Sequence, residues 1–197
     1  MSAPRLTAVA GVLLLSPGDP PPAITSSLLL AWLAARKAAP QGVTLAALVA
    51  PLAKIGWSLG SQDDPTQSVE LAGFRDNLWR AALGEGADEL LGALASPSPG
   101  RRRVLDAWWA RLQAVAARLS PSLPVARLST EGAAISLRLA APVPGLATDS
   151  SVVLEQGARL AVATPSATLT LSPQVLASVE ADIAAKVAPH ADLVVRE

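Results

Sequence analysis

The run from Pro99 to Leu119, PGRRRVLDAWWARLQAVAARL, is the stretch that most limits how this chain can fold. Val104, Leu105, Trp108, Leu112, Val115 and Leu119 recur at steps of three and four residues, which gathers them on one face of a 3.6-period helix. Arg101, Arg102, Asp106, Arg111, Gln113 and Arg118 fall largely elsewhere. Ser98 supplies an N-cap, Pro99 suits the first helical position, and Ser120-Pro121 supplies a stop. A helix of this kind must bury one face. It also divides two unlike halves, the first helical in texture and the second mostly strand-like.

Ahead of it, Pro22 to Ala39 opens on prolines suited to a first turn and ends with Arg36-Lys37, where cations complement the helix dipole. Leu28, Leu29, Leu30, Trp32 and Leu33 surround this helix almost completely, which places it in a core, at an interface or in lipid. Thr44 to Leu59 predicts a second apolar helix, capped by Thr44, kinked or split at Pro51 and ended by Gly60. Asp64 as N-cap, Pro65 at the first position and Gln67 three residues on predict a third helix through Leu83, striped by Leu71, Phe74, Leu78 and Leu83. A short helix over Ala87 to Ala95 follows. The largely apolar run from Leu6 to Leu15 predicts a buried strand or short helix. It superficially resembles a secretory signal, but no clean small-x-small cleavage site follows it, and a bilayer span takes about 20 apolar residues.

Beyond Pro124 the texture changes to short runs separated by turn residues: Val125 to Thr130, Ala133 to Ala140, Ser151 to Glu155, Ala158 to Thr164 and Ala167 to Leu171. Apolar and polar residues alternate in AISLRLA and ATLTLS, as half-buried strands require. EGA at 131–133 and EQG at 155–157 suit hairpin turns. Ser172-Pro173 opens an amphipathic helix through Val187, and Asp192 to Arg196 reads as a closing strand. The expected fold class is therefore α+β. A helical bundle over residues 1–120 is followed by a small, mainly antiparallel sheet with a covering helix over 123–197, and a single shared core is left open.

Composition narrows function mostly by exclusion. The chain has no cysteine, which removes thiolate nucleophiles, disulfides and cysteine-ligated metal sites. One histidine, His190, leaves no His-rich metal site, and it sits in a Pro-His-Ala turn rather than in a hydrolase setting, with no G-x-S-x-G anywhere. No P-loop or Rossmann glycine fingerprint occurs. Glu85, Asp88 and Glu89 lack the ligand spacing of an EF-hand and are explained by the dipole of the 87–95 helix. No catalytic, metal or cofactor residue is assigned, and no cofactor is expected. Sixteen basic and 16 acidic residues cancel, so no global field draws the chain to nucleic acid.

Charged residues make up 16% of the chain against about 25% in ordinary soluble domains, while 51% are hydrophobic. Thirteen arginines against three lysines, with abundant alanine and proline, also fit a GC-rich genome. A chain so short of charge points to surface covered by something else. The leading expectation is a non-catalytic interaction or assembly subunit, cytoplasmic, that meets a protein partner or its own copies. A peripheral membrane protein and an enzyme with a carboxylate–arginine cleft are the alternatives. The candidate surface joins Arg101, Arg102, Arg103 and Trp109 on the central helix with Leu29 and Trp32 on the 22–39 helix. Three arginines oppose the dipole at a helix start, which an acidic partner or neighbouring acids in the fold would explain. Nucleic-acid contact through the arginines and tryptophans is the lesser reading, because tryptophan spaced with leucines usually fills a core.

Overall fold

The computed structural model describes residues 4–40, 42–70, 74–84, 87–95, 97–115, 123–129, 134–142 and 159–197. In chain order the elements are β1 (Arg5–Val9), β2 (Val12–Ser16), α1 (Pro22–Ala38), α2 (Leu45–Lys54), β3 (Trp57–Asp63), β4 (Thr66–Glu70), α3 (Phe74–Leu83), α4 (Ala87–Ala95) and α5 (Pro99–Val115). Then come β5 (Leu123–Leu128), β6 (Ala134–Pro142), β7 (Arg159–Ala163), β8 (Ser166–Leu171), α6 (Pro173–Val187), a 3-10 segment (Ala188–Leu193) and β9 (Val194–Arg196).

The apolar run near the start is a hairpin. Leu6 of β1 lies opposite Leu15 of β2, and Val9 opposite Val12. All of β2 and all of β1 except Arg5 are buried, so both faces are covered and no polar–apolar alternation marks the strands. Each fully buried leucine here contributes roughly 1.5–3 kcal/mol relative to exposure. The turn is buried too. Ala10 adopts φ 51°, in the left-handed region, and its N–H donates to the Leu193 carbonyl at 2.7 Å. A Cβ on Gly11 would stand 2.1 Å from two atoms of the Trp32 indole, so only glycine fits beneath that ring. From α5, Trp108 Nε1 donates to the Gly11 carbonyl at 2.8 Å.

Around this hairpin runs one mixed sheet in the order β3-β8-β6-β5-β2-β1-β9, with β7 joined to β6 and β4 joined to β7. β2 and β5 are parallel, and the remaining pairs are antiparallel. β3 and β4 together form one long ribbon against β8 and β7: Trp57 opposes Leu171 at one end and Glu70 opposes Arg159 at the other, with a register shift at Gly60. The ladder is interrupted where Asp64-Pro65 passes Thr164-Pro165, because proline has no N–H to give. Thr164 bridges the gap, its N–H donating to the Pro65 carbonyl at 2.8 Å. α1 and α2 pack together, α2 covers β3, β6 and β8, and α6 lies against α1. The other group has α3 on β4, β5 and β6, and α5 on β1 and β9. One hydrophobic cluster extends from Leu6 to Val187 and draws on residues both before and after position 120.

The expected order of a helical bundle followed by a small sheet is overturned, since four strands lie within the first 70 residues and helices alternate with strands along the chain. The second helix ends at Lys54 rather than Leu59, because Gly56 takes φ 97° and turns the chain into β3. Thr44 does cap it, accepting from the Ala47 N–H at 3.2 Å, and the helix runs on through Pro51. Asp64-Pro65 starts no helix: it is the break in the ribbon, β4 follows it, and the next helix described is α3 over Phe74–Leu83. The local capping signal lost to a strand partner about a hundred residues away. The helices at 22–38, 87–95 and 173–187 lie within a residue of the expected spans. The Ser151–Glu155 strand, both hairpin turns and the Leu119–Pro121 helix end fall outside the described residues.

Candidate functional site

The arginine cluster lies on the first turns of α5. Ser98 Oγ accepts from the Arg101 N–H at 3.3 Å, so the helix starts where its cap places it. Arg101 is largely buried and engaged: Nε donates to Glu197 Oε1 at 2.7 Å and Nη2 to the Pro4 carbonyl at 2.9 Å, with side-chain exposures of 16% and 20% for the Arg101–Glu197 pair. Arg103 donates to the Arg196 carbonyl at 2.9 Å. Two of the three guanidiniums thus tie α5 to β9, which answers why a helix start tolerates them. Arg102 stays exposed and, with Arg103, Asp106, Pro97 and Pro99, lines an open groove of about 440 Å³.

Trp109 continues the outward face and is 44% exposed, while its neighbour Trp108 is buried against Trp79 with ring centroids 5.1 Å apart. Leu29 and Trp32 do not join this surface. Both are buried in the core, Trp32 over Gly11. A second, smaller crevice of about 170 Å³ separates α5 from β1 and β9, and Arg111 pairs with Asp192 at 3.7 Å beside it. Neither groove contains a histidine or a hydroxyl side chain. His190 is exposed on the 3-10 segment. Asp88 accepts from Arg80 Nε at 2.9 Å, as a surface ion pair. Among the described residues there is no group of acids and histidines able to hold a metal ion, and no helix is long and apolar enough to cross a membrane.

The surface feature hidden from the sequence is β3. Among the described residues it is an edge of the sheet, paired with β8 on one side only. From Ser58 to Asp63 every residue is exposed, and Leu59, 46% exposed, lies opposite the fully buried Leu169. The faint signal for it was the Trp57-Ser58-Leu59 alternation, masked by the apolar helix pattern just before it. The chain matches no protein-family model, no curated protein and no solved structure.

Proposed function

We propose that the protein is a non-catalytic assembly subunit that takes a strand from a protein partner, or from another copy of itself, along its β3 edge. The observation that carries this reading is β3 itself: a seven-residue edge strand with Ser58–Asp63 bare on both faces and Leu59 projecting. Sheet edges present a row of unpaired N–H and C=O groups that an extended chain can continue. The register shift at Gly60 and the acids Asp63 and Asp64 make the edge selective, since they resist an arbitrary strand laid flat along it. Arg102 and Trp109 lie elsewhere on the molecule and supply a second polar–aromatic patch for the same kind of partner.

The test is the mass in solution over a concentration series, combined with a photo-cross-linking residue placed at position 59. The expected outcome is a defined assembly above the 20.1 kDa of one chain, or a specific covalent adduct at 59, either of them abolished by an edge-breaking Gln62→Pro. A mass of 20.1 kDa at every concentration, with adducts at 59 no more frequent than at the exposed Ser178, overturns the reading.

A further inference from the structure

At the opposite end of the sheet, β1 is buried along Leu6–Val9, yet among the described residues only three close its outer ladder: Arg196 opposite Thr7, Val195 opposite Ala8 and Val194 opposite Val9. No residue from Ala188 to Glu197 is fully buried. Beneath the segment lies the crevice of about 170 Å³, where Ala8, Ala10, Ala107 and Ala110 leave the seam with α5 unfilled. Leu193, Val194 and Val195 rest part-buried against the core, and the remaining hold on the segment is polar. Glu197 pairs with Arg101, the Arg196 carbonyl accepts from Arg103, Asp192 pairs with Arg111, and the Leu193 carbonyl accepts from the Ala10 N–H. Short, exposed and thinly packed elements are the first to open, and an apolar edge left uncovered is a template for another strand.

We infer that residues 188–197 form a detachable strap over the β1 edge, and that when it lifts, β9 of a second copy takes its place. The second copy is the fitting occupant because exchange restores every contact the strap makes when closed, Glu197 on Arg101 and the Arg196 carbonyl on Arg103 included. Only the cost of association is added. The hinge is the 3-10 segment: Pro189 lies within it, His190 departs from helical geometry at φ −118° and ψ 18°, and none of its side chains is fully buried, so a swing lifts only the part-buried Leu193 from the core surface. The strap and the β3 edge lie at opposite ends of the sheet.

The absence of cysteine makes the test unambiguous. A Cβ built on Gly100 lies 3.9 Å from Glu197 Cβ, inside the roughly 3.5–4.5 Å that a disulfide spans. The single variants Gly100→Cys and Glu197→Cys are mixed at high concentration, incubated and oxidised. A covalent heterodimer well above the yield from Gly18→Cys mixed with Gly42→Cys is expected, because β9 of one chain must sit on α5 of the other.

Hydrogen exchange at Ala10 gives the second readout. Its amide should exchange ahead of the β2–β5 ladder, faster by about tenfold to a hundredfold in Arg101→Gln, and slowly in the oxidised double variant. Ala10 exchanging together with the β2–β5 ladder overturns the strap. Rapid exchange at Ala10 without heterodimer overturns the second copy as its occupant. An assembly that persists in the locked double variant belongs to β3 and leaves the strap without a role in it.

Discussion

Replacing Gly11 with alanine puts a methyl group where the structure has an indole. The added Cβ would lie 2.1 Å from Trp32 Cη2 and Cζ2 and 2.8 Å from Cε2. To reach an ordinary carbon–carbon separation of about 3.5 Å, the ring must retreat by about 1.4 Å. Trp32 is only 4% exposed, so it has nowhere to go without displacing α1 or the turn itself. Overpacking of this kind costs about 1–3 kcal/mol. Moving the turn also weakens the Trp108–Gly11 hydrogen bond, worth about 1 kcal/mol. Against this stands the gain of about 0.4–1 kcal/mol that alanine brings by restricting the unfolded chain.

The net expectation is a loss of about 2–3 kcal/mol, read as a fall in Tm of about 4–12 °C for a chain of this size. Urea unfolding followed by circular dichroism measures it, with Gly18→Ala as the control, since a Cβ there meets nothing within 4 Å. Trp32→Phe should rescue part of the loss, giving a coupling of about 1 kcal/mol or more in a double-mutant cycle. A Gly11→Ala protein within about 0.5 kcal/mol of the parent, or strict additivity with Trp32→Phe, would refute the reasoning.

Thr44→Ala removes the side-chain acceptor of the Ala47 N–H and should lower stability by about 1 kcal/mol, seen as a Tm lower by about 2–4 °C in calorimetry. Arg101→Gln and Arg102→Gln should differ sharply although the residues are adjacent. The first strands the part-buried Glu197 and costs about 1.5–3 kcal/mol in urea unfolding, while the second, at an exposed position, stays within about 0.5 kcal/mol.

Much of the helical content was legible in the sequence because its signals are local. Pro22, Pro99 and Pro173 sit at first helical positions, Ser98 and Thr44 supply caps, and three-and-four spacing ties each helix together within its own length. The same holds for the alternating strands β6 and β8, each with one apolar face inward. β1 and β2 were legible only as buried, since a strand covered on both faces has no period by which to tell it from a helix. The arginine triplet was legible as an anomaly at a helix start. That two of its members are satisfied inside the molecule depends on β9, some ninety residues on.

By itself, then, the sequence determined an α+β chain without thiol or His-cluster chemistry, its main helices and a buried apolar stretch near its start, because propensity, capping and periodicity act over a few residues. The tertiary structure alone decided that residues 57–63 and 66–70 are strands, since the ladder to residues 159–171 satisfies their backbone in a way no local signal can announce. It decided which apolar groups are core, burying Leu29 and Trp32 and leaving Leu59 and Trp109 outside. The physical reason is common to both outcomes: burial and strand pairing are properties of two surfaces brought together, and one stretch of sequence specifies only its own.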